Sequence, residues 1–223
     1  MKTPRDNLIA MTLLAGALLW PTSGQAAFLE GVAAYSRGDF VAAAEIWRED
    51  AAAGDAAAQR NLGLLYLNGQ GVPKNEVAAV EWFRRSSDQG FPRASANLAE
   101  MYLRGIGVPR DPERAVAFYQ RAAEGGLAEA QHNLAILIDA GFGVARDPEL
   151  ARRWFQRAAA AGHVPAQEWL RDTASAQTED AAEDPAPEDS DELLTTTSDP
   201  TVAVPARDGG LVDSLHAILS PAG

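Results

Sequence analysis

Gly141 and Gly143 stand one residue apart in GFGVARDPELARRWFQRAAAAG (residues 141–162), followed by a charged turn and a helical pattern that opens at Asp147-Pro148. Backbone N–H groups at such a turn, backed by a helix N-terminus, are one way a chain holds a phosphate. A dinucleotide-binding loop of this kind follows a strand and carries a third glycine. This stretch follows a helical pattern, lacks the third glycine, and is the third copy of a turn already present at Gly69-Gln70-Gly71 and Gly105-Ile106-Gly107. It is therefore expected to be a connector, not a ligand loop.

The remaining chemistry-bearing residues are as sparse. None of His132, His163 and His216 has a second histidine or a carboxylate at ligand spacing, so no metal site is expected. Cysteine is absent, which removes disulfides, thiolate ligands, a cysteine nucleophile and a lipidated cysteine. Neither a G-x-S-x-G elbow nor an H-E-x-x-H pair occurs. The paired acids Glu49-Asp50 fall on a helix surface, and Arg37-Gly38-Asp39, which spells an integrin-type tripeptide, falls in a turn between two helical patterns. No catalytic apparatus is visible, and neither an enzyme nor a cofactor is expected.

The elements behind these residues repeat with a period of 36. Gly54, Gly90, Gly126 and Gly162 keep that spacing, as do Asn61, Asn97 and Asn133, and Ala43, Ala79, Ala115 and Ala151. Each period holds two helical stripes: Ala58, Leu62, Leu65 and Tyr66 recur as Ala94, Leu98, Met101 and Tyr102, and Ala115, Phe118, Tyr119, Ala122 and Ala123 form the second kind. Asp111-Pro112-Glu113 and Asp147-Pro148-Glu149 supply a cap acceptor, a first-turn proline and a carboxylate suited to the helix dipole. Gly126 and Gly162 stand where a helix end needs a left-handed residue. A helix pair of this size cannot bury its apolar face alone, whereas stacked copies can. At the start of the array Tyr35 lies only eight residues before Ala43, so the first turn is shorter than the others. At its end Arg171, Asp172 and Thr173 replace Ala135, Ile136 and Leu137, as a solvent-facing last copy requires.

The two ends of the 223-residue chain read differently. Residues 1–26 have a basic start (Lys2, Arg5), the apolar run Leu8–Trp20, Pro21, and small residues before Ala27, which is the pattern of a secretory signal peptide cleaved after Ala26. An uncleaved anchor would need a longer run, since 13 residues span about 20 Å against a hydrocarbon core of about 30 Å. The protein is thus expected in the periplasm or outside the cell, with no membrane span after cleavage. Residues 173–223 carry eleven acidic residues and one arginine, so nearly all of the net charge of −12 lies in the tail. With no basic excess elsewhere, nucleic acid is not an expected partner. Residues 173–208 are rich in Ala, Pro, Thr, Asp and Glu, carry almost no large apolar side chains, and are expected to be a disordered acidic linker. Beyond it, in residues 209–223, Leu211, Val212, Leu215, Ile218 and Leu219 give a short amphipathic face, read either as a frayed end or as a tethered docking helix. The acid run could also approach Arg152, Arg153 and Arg157.

The unit GxGVxxDxxxAxxx(F/Y)xxAAxxGxxxAxxxL, complete from Gly105 to Leu134 and nearly so from Gly69 to Leu98, resembles the Sel-one-like repeat, a relative of the tetratricopeptide repeat with a longer turn. The opening AYSRGDFVAAAEIW, Ala34 to Trp47, is more similar to a tetratricopeptide unit. Ala145 stands where Pro73 and Pro109 stood, and Trp169 takes the place of the recurring asparagine. The resemblance covers residues 27–172. It implies an all-α fold, a right-handed αα-superhelix of helix pairs whose concave face binds proteins or peptides, in an exported bacterial protein. By the same resemblance Asn61, Asn97 and Asn133 face the groove, where each carboxamide could pair with an extended peptide backbone or else satisfy a neighbouring backbone group. Arg60, Arg93, Glu100, Glu129, His132 and Asp139 are further groove candidates, each of which could equally be solvated surface. Two rival readings remain: an envelope enzyme acting on peptidoglycan or β-lactams, and a periplasmic regulator or inhibitor of a membrane sensor. The disulfide-bonded relatives linked to β-lactams owe their framework to cysteines that this chain lacks.

Overall fold

A computed structural model describes residues 23–182 and, among them, nine helices and no strand. The chain divides between Ser86 and Ser87 into two compact units. The first holds α1 (Ser23–Ser36), α2 (Phe40–Ala52), α3 (Ala56–Asn68) and most of α4 (Glu76–Asp88); the second holds α5 (Pro92–Arg104), α6 (Pro112–Glu124), α7 (Ala128–Ala140), α8 (Pro148–Ala160) and α9 (Val164–Ala182). Within each unit successive helices pack in antiparallel neighbours, so the all-α fold of stacked helix pairs expected above is the fold observed.

Short polar side chains start α2, α3, α4, α6 and α8, whereas α5 and α7 begin after Phe91 and Leu127 with no side-chain cap. Asp39, Asp55, Asn75, Asp111 and Asp147 accept from the N–H groups of Ala42, Ala58, Ala78, Arg114 and Leu150 at 2.6 to 3.1 Å, each satisfying a donor the helix leaves free. Asp39 spends its carboxylate this way, so the Arg37-Gly38-Asp39 turn is a capped helix connection. The period-36 alanines have a packing cause. Ala43, Ala79, Ala115 and Ala151, with a second series at Ala58, Ala94, Ala130 and Ala166, are all fully buried, and a larger side chain there would force adjacent helices apart.

The two-glycine turn is likewise a packing device. Gly141 ends α7 in a left-handed conformation (φ 66°), and the N–H of Phe142 returns to the carbonyl of Leu137 at 2.9 Å. Gly143 (φ 73°) then lies against the start of α6, where a methyl group would overlap the Pro112 carbonyl. Gly71 meets the carbonyl of Phe40, at the start of α2, in the same way. Glycine is needed at both places because two backbones touch.

A second tie was not visible in the residue pattern. The Gln131 amide donates to the carbonyl of Ala123 at 3.0 Å, inside the protein, and so fastens the first turn of α7 to the last turn of α6. Gln59 and Gln167 repeat this bond on Ala51 and Ala159. In the remaining copy Ser95 is too short to reach a carbonyl, and its hydroxyl pairs instead with that of Ser87 at 2.7 Å.

The ends differ from expectation in one respect. The first turn is short, as its spacing required, and Ala166, Trp169 and Leu170 pack on the second unit's core while Arg171 and Asp172 are exposed. Yet α9 continues to Ala182, past the boundary expected at Thr173. ASAQTEDAA, residues 174–182, is made largely of good helix formers, with no glycine or proline before Pro185. The Thr173 hydroxyl adds a bond to the Trp169 carbonyl at 2.6 Å. The expected cleavage point after Ala26 falls in the first turn of α1. The apolar run of residues 8–20, the rest of the acidic linker, and the amphipathic face of Leu211 to Leu219 lie outside the described residues. Among the described residues no helix is long and apolar enough to cross a membrane.

Candidate functional site on α5, α6 and α7

Asn97 and Asn133 occupy the same place in α5 and α7, half-buried and one residue before the fully packed Leu98 and Leu134. Along α5, Arg93, Asn97, Glu100 and Arg104 fall at i, i+4, i+7 and i+11, a single polar stripe; α7 opens the equivalent stripe with Glu129 and Asn133. Tyr119 of α6 lies between them. Its ring is 4% exposed, and its hydroxyl accepts from the Asn133 amide at 3.4 Å. Burial, with the Glu100 carboxylate next, pushes the phenol's pKa well above the ordinary tyrosine value, so it stays a neutral hydroxyl under all ordinary conditions. Glu100 also pairs with Arg104 at 3.3 Å, one turn along α5. Two carboxamides, a fixed phenol and an ion pair thus share one face of the second unit.

Other candidates are placed elsewhere. Asp139 is drawn into the α7–α8 turn, where Arg146 donates to its carbonyl at 2.7 Å and lies 3.6 Å from its carboxylate. Arg110 holds the α5–α6 turn through the Leu103 carbonyl in the same manner. Glu129 and Arg93 are exposed in the first turns of their helices. In the first unit Asn61 accepts from Arg60 at 3.3 Å on α3.

His132 is not isolated, contrary to the reading of its spacing. His163 comes from 31 residues away to within 4.6 Å, ring to ring, and Phe155 closes the other side at 5.4 Å. Spacing along the chain could not show this, because the contact crosses from α7 to the turn that opens α9. Both rings carry a buried Nδ1 with no hydrogen-bond partner. Burial, then the neighbouring ring, lowers the His132 pKa to about 4; burial also lowers that of His163, against the pull of Glu129. Among the described residues no group of three or more histidines or acids is placed to hold a metal ion.

The Sel1 repeat model matches residues 56–91, 92–127 and 128–163. The chain carries three Sel1 repeats in tandem. Each Sel1 repeat runs from the first residue of one helix, through the two-glycine turn and a second helix, to the cap of the next, and Asn61, Asn97 and Asn133 are the sixth residue of the three repeats. Two solved structures are similar. One, a protective antigen of uropathogenic Escherichia coli displaying an SLR fold, is 34% identical with a TM-score of 0.63; the match covers 66% of this chain and 32% of that one. The other, a Sel1 repeat protein from Oxalobacter formigenes, is 34% identical with a TM-score of 0.60, over 66% of this chain and 60% of that one. The chain therefore spans about a third and three fifths of these relatives. No curated protein sequence matches it. Sel1 repeats typically serve protein–protein interaction. Tyr119 was not singled out from the sequence as a site residue, although it is the one hydroxyl in the register Phe83, Tyr119, Phe155.

Proposed function

We propose that this Sel1-repeat chain is an exported, non-catalytic scaffold of the bacterial envelope that captures a protein or peptide through the polar face of α5, α6 and α7. The observation that carries the reading is the Asn133 carboxamide held against the Tyr119 hydroxyl, in register with Asn97 and beside the Glu100–Arg104 pair. A carboxamide offers a donor and an acceptor together, which suits it to the backbone of an extended chain whatever its side chains. Pinning it beforehand reduces the ordering cost that a guest would otherwise meet. Export rests on the basic, apolar and small-residue segments of residues 1–26.

The test is a selection of peptide ligands from a random display library on the full chain, followed by affinity measurement with Asn61→Ala, Asn97→Ala and Asn133→Ala combined. The selected peptides should lose at least about tenfold in affinity, the equivalent of 1.4 kcal/mol, while circular dichroism and melting are retained. Peptides that bind both forms equally would sink the reading.

A further inference from the structure

The second unit carries a basic face with no counterpart in the preceding copy. An open groove of about 450 Å³ runs along α8, lined among the described residues by Leu150, Arg153, Trp154, Gln156, Arg157 and Ala160. Its floor is apolar: the Trp154 ring, with the Arg157 guanidinium 4.7 Å from its centroid, and the half-buried Leu150. Arg152 and Arg153 stand where α6 has Val116 and Ala117. Arg121, which matches Arg157, is spent on Asp88 at 3.5 Å and on the Ser87 hydroxyl. Among the described residues Arg152, Arg153 and Arg157 pair with no carboxylate.

We propose that the chain's own C-terminal segment seats on α8, with the acids of residues 183–199 beside Arg152, Arg153 and Arg157 and the apolar face Leu211, Leu215 and Leu219 over Leu150 and Trp154. Charge favours this occupant: residues 183–223 carry nine acids and one arginine. Length permits it. From Ala182 to Leu211 is 29 residues, which as a random coil would reach about 30 Å, while α9 has 19 residues and is about 28 Å long, so a tail of this length can return along it. Tethering at this length gives an effective concentration in the millimolar range, so even a weak surface is occupied. The arginines supply attraction that exposed pairs alone would make small; the apolar floor supplies the rest. This docking does not depend on the peptide-binding reading of α5, α6 and α7.

The absence of native cysteine makes the test clean. A nitroxide attached to Ser214→Cys in the full chain should remove most of the intensity of the Trp154 indole N–H resonance and spare that of Trp47. Arg153→Glu with Arg157→Glu should restore it, with helical content unchanged. If Trp154 keeps its intensity, if Trp47 loses as much, if the loss grows with protein concentration and so reports a second copy, or if it survives the charge reversal, the proposal is overturned. Were the double variant to unfold, the comparison of Trp154 with Trp47 in the labelled parent would still decide.

Discussion

Tyr119 with Asn133, and Phe155 with Trp169, occupy the same two positions in successive copies of the repeat. The backbone presents each pair from a second helix and the helix that follows it. In one copy the pair is polar, amide to hydroxyl at 3.4 Å. In the next it is two aromatic rings stacked with centroids 3.9 Å apart and planes 18° from parallel. The difference teaches that the repeat fixes the seat and leaves its chemistry free. A polar pair keeps donors and acceptors at the rim, where the proposed guest would meet them; an aromatic pair closes the seat and adds ring packing to the Gln167 tie that holds α9. The neighbouring position follows suit: Ala96 and Leu127 become His132 and His163, whose rings meet at a tilt of 44°, with His132 also against Phe155.

Removing the closed seat should have the largest effect. Phe155 is fully buried, stacked on Trp169 and in tilted contact with His132, so Phe155→Ala loses both its transfer energy and the packing around the void, about 3–5 kcal/mol. Urea unfolding followed by far-ultraviolet circular dichroism should shift its midpoint accordingly. A loss below about 1 kcal/mol would mean that α9 is not anchored by this stack and that the two seats do not differ in the way argued.

Acid should act on the same seat, and less strongly. His132 has a folded-state pKa of about 4 against an ordinary value of 6.5, because burial and then His163 disfavour its charged form. As pH falls, the unfolded chain therefore takes up the proton first. The contribution to stability is complete above pH 6.5 and is lost on descending from 6.5 to 4, an amount of about 2 kcal/mol once solvent screening of a half-buried ring is allowed for. His163 shifts in the same direction, with Glu129 opposing. Replacing the pair by the residues of the preceding copy, His132→Ala with His163→Leu, should flatten the fall in unfolding free energy between pH 7 and 4.5. An equal fall in both proteins would assign the acid response to other groups.

Much of this scaffold was legible in the residues, for reasons that are local. A left-handed helix end admits little besides glycine, a helix start wants a short acceptor, and two helices in close contact leave room for alanine; each condition recurs every 36 residues and therefore shows as a period. The site was less legible because its contacts join different registers. Asn133 meets Tyr119 across 14 residues and His132 meets His163 across 31, and neither distance is a multiple of the repeat. The glutamine ties escaped for another reason: Ser95 interrupts the series Gln59, Gln131, Gln167, and its substitute bond to Ser87 works through different atoms. A period identifies what the fold demands of every copy, and function enters where one copy departs from it.

The smallest expected change in stability falls on the hydroxyl that marks that departure. Tyr119→Phe keeps the ring, matches Phe83 and Phe155, and removes a single bond of 3.4 Å. A long neutral hydrogen bond at the edge of the core contributes no more than about 1 kcal/mol, and the Asn133 amide it frees can turn to water. The melting temperature should therefore hardly move. Peptide affinity should respond more, because the same carboxamide would have to be ordered by the guest instead of by the phenol. Isothermal titration with a selected peptide should show weaker binding with a less favourable entropy in Tyr119→Phe than in the parent. Unchanged binding with lowered stability would reverse the assignment: the bond would then serve the fold, and the polar seat would differ from the aromatic one in composition without differing in purpose.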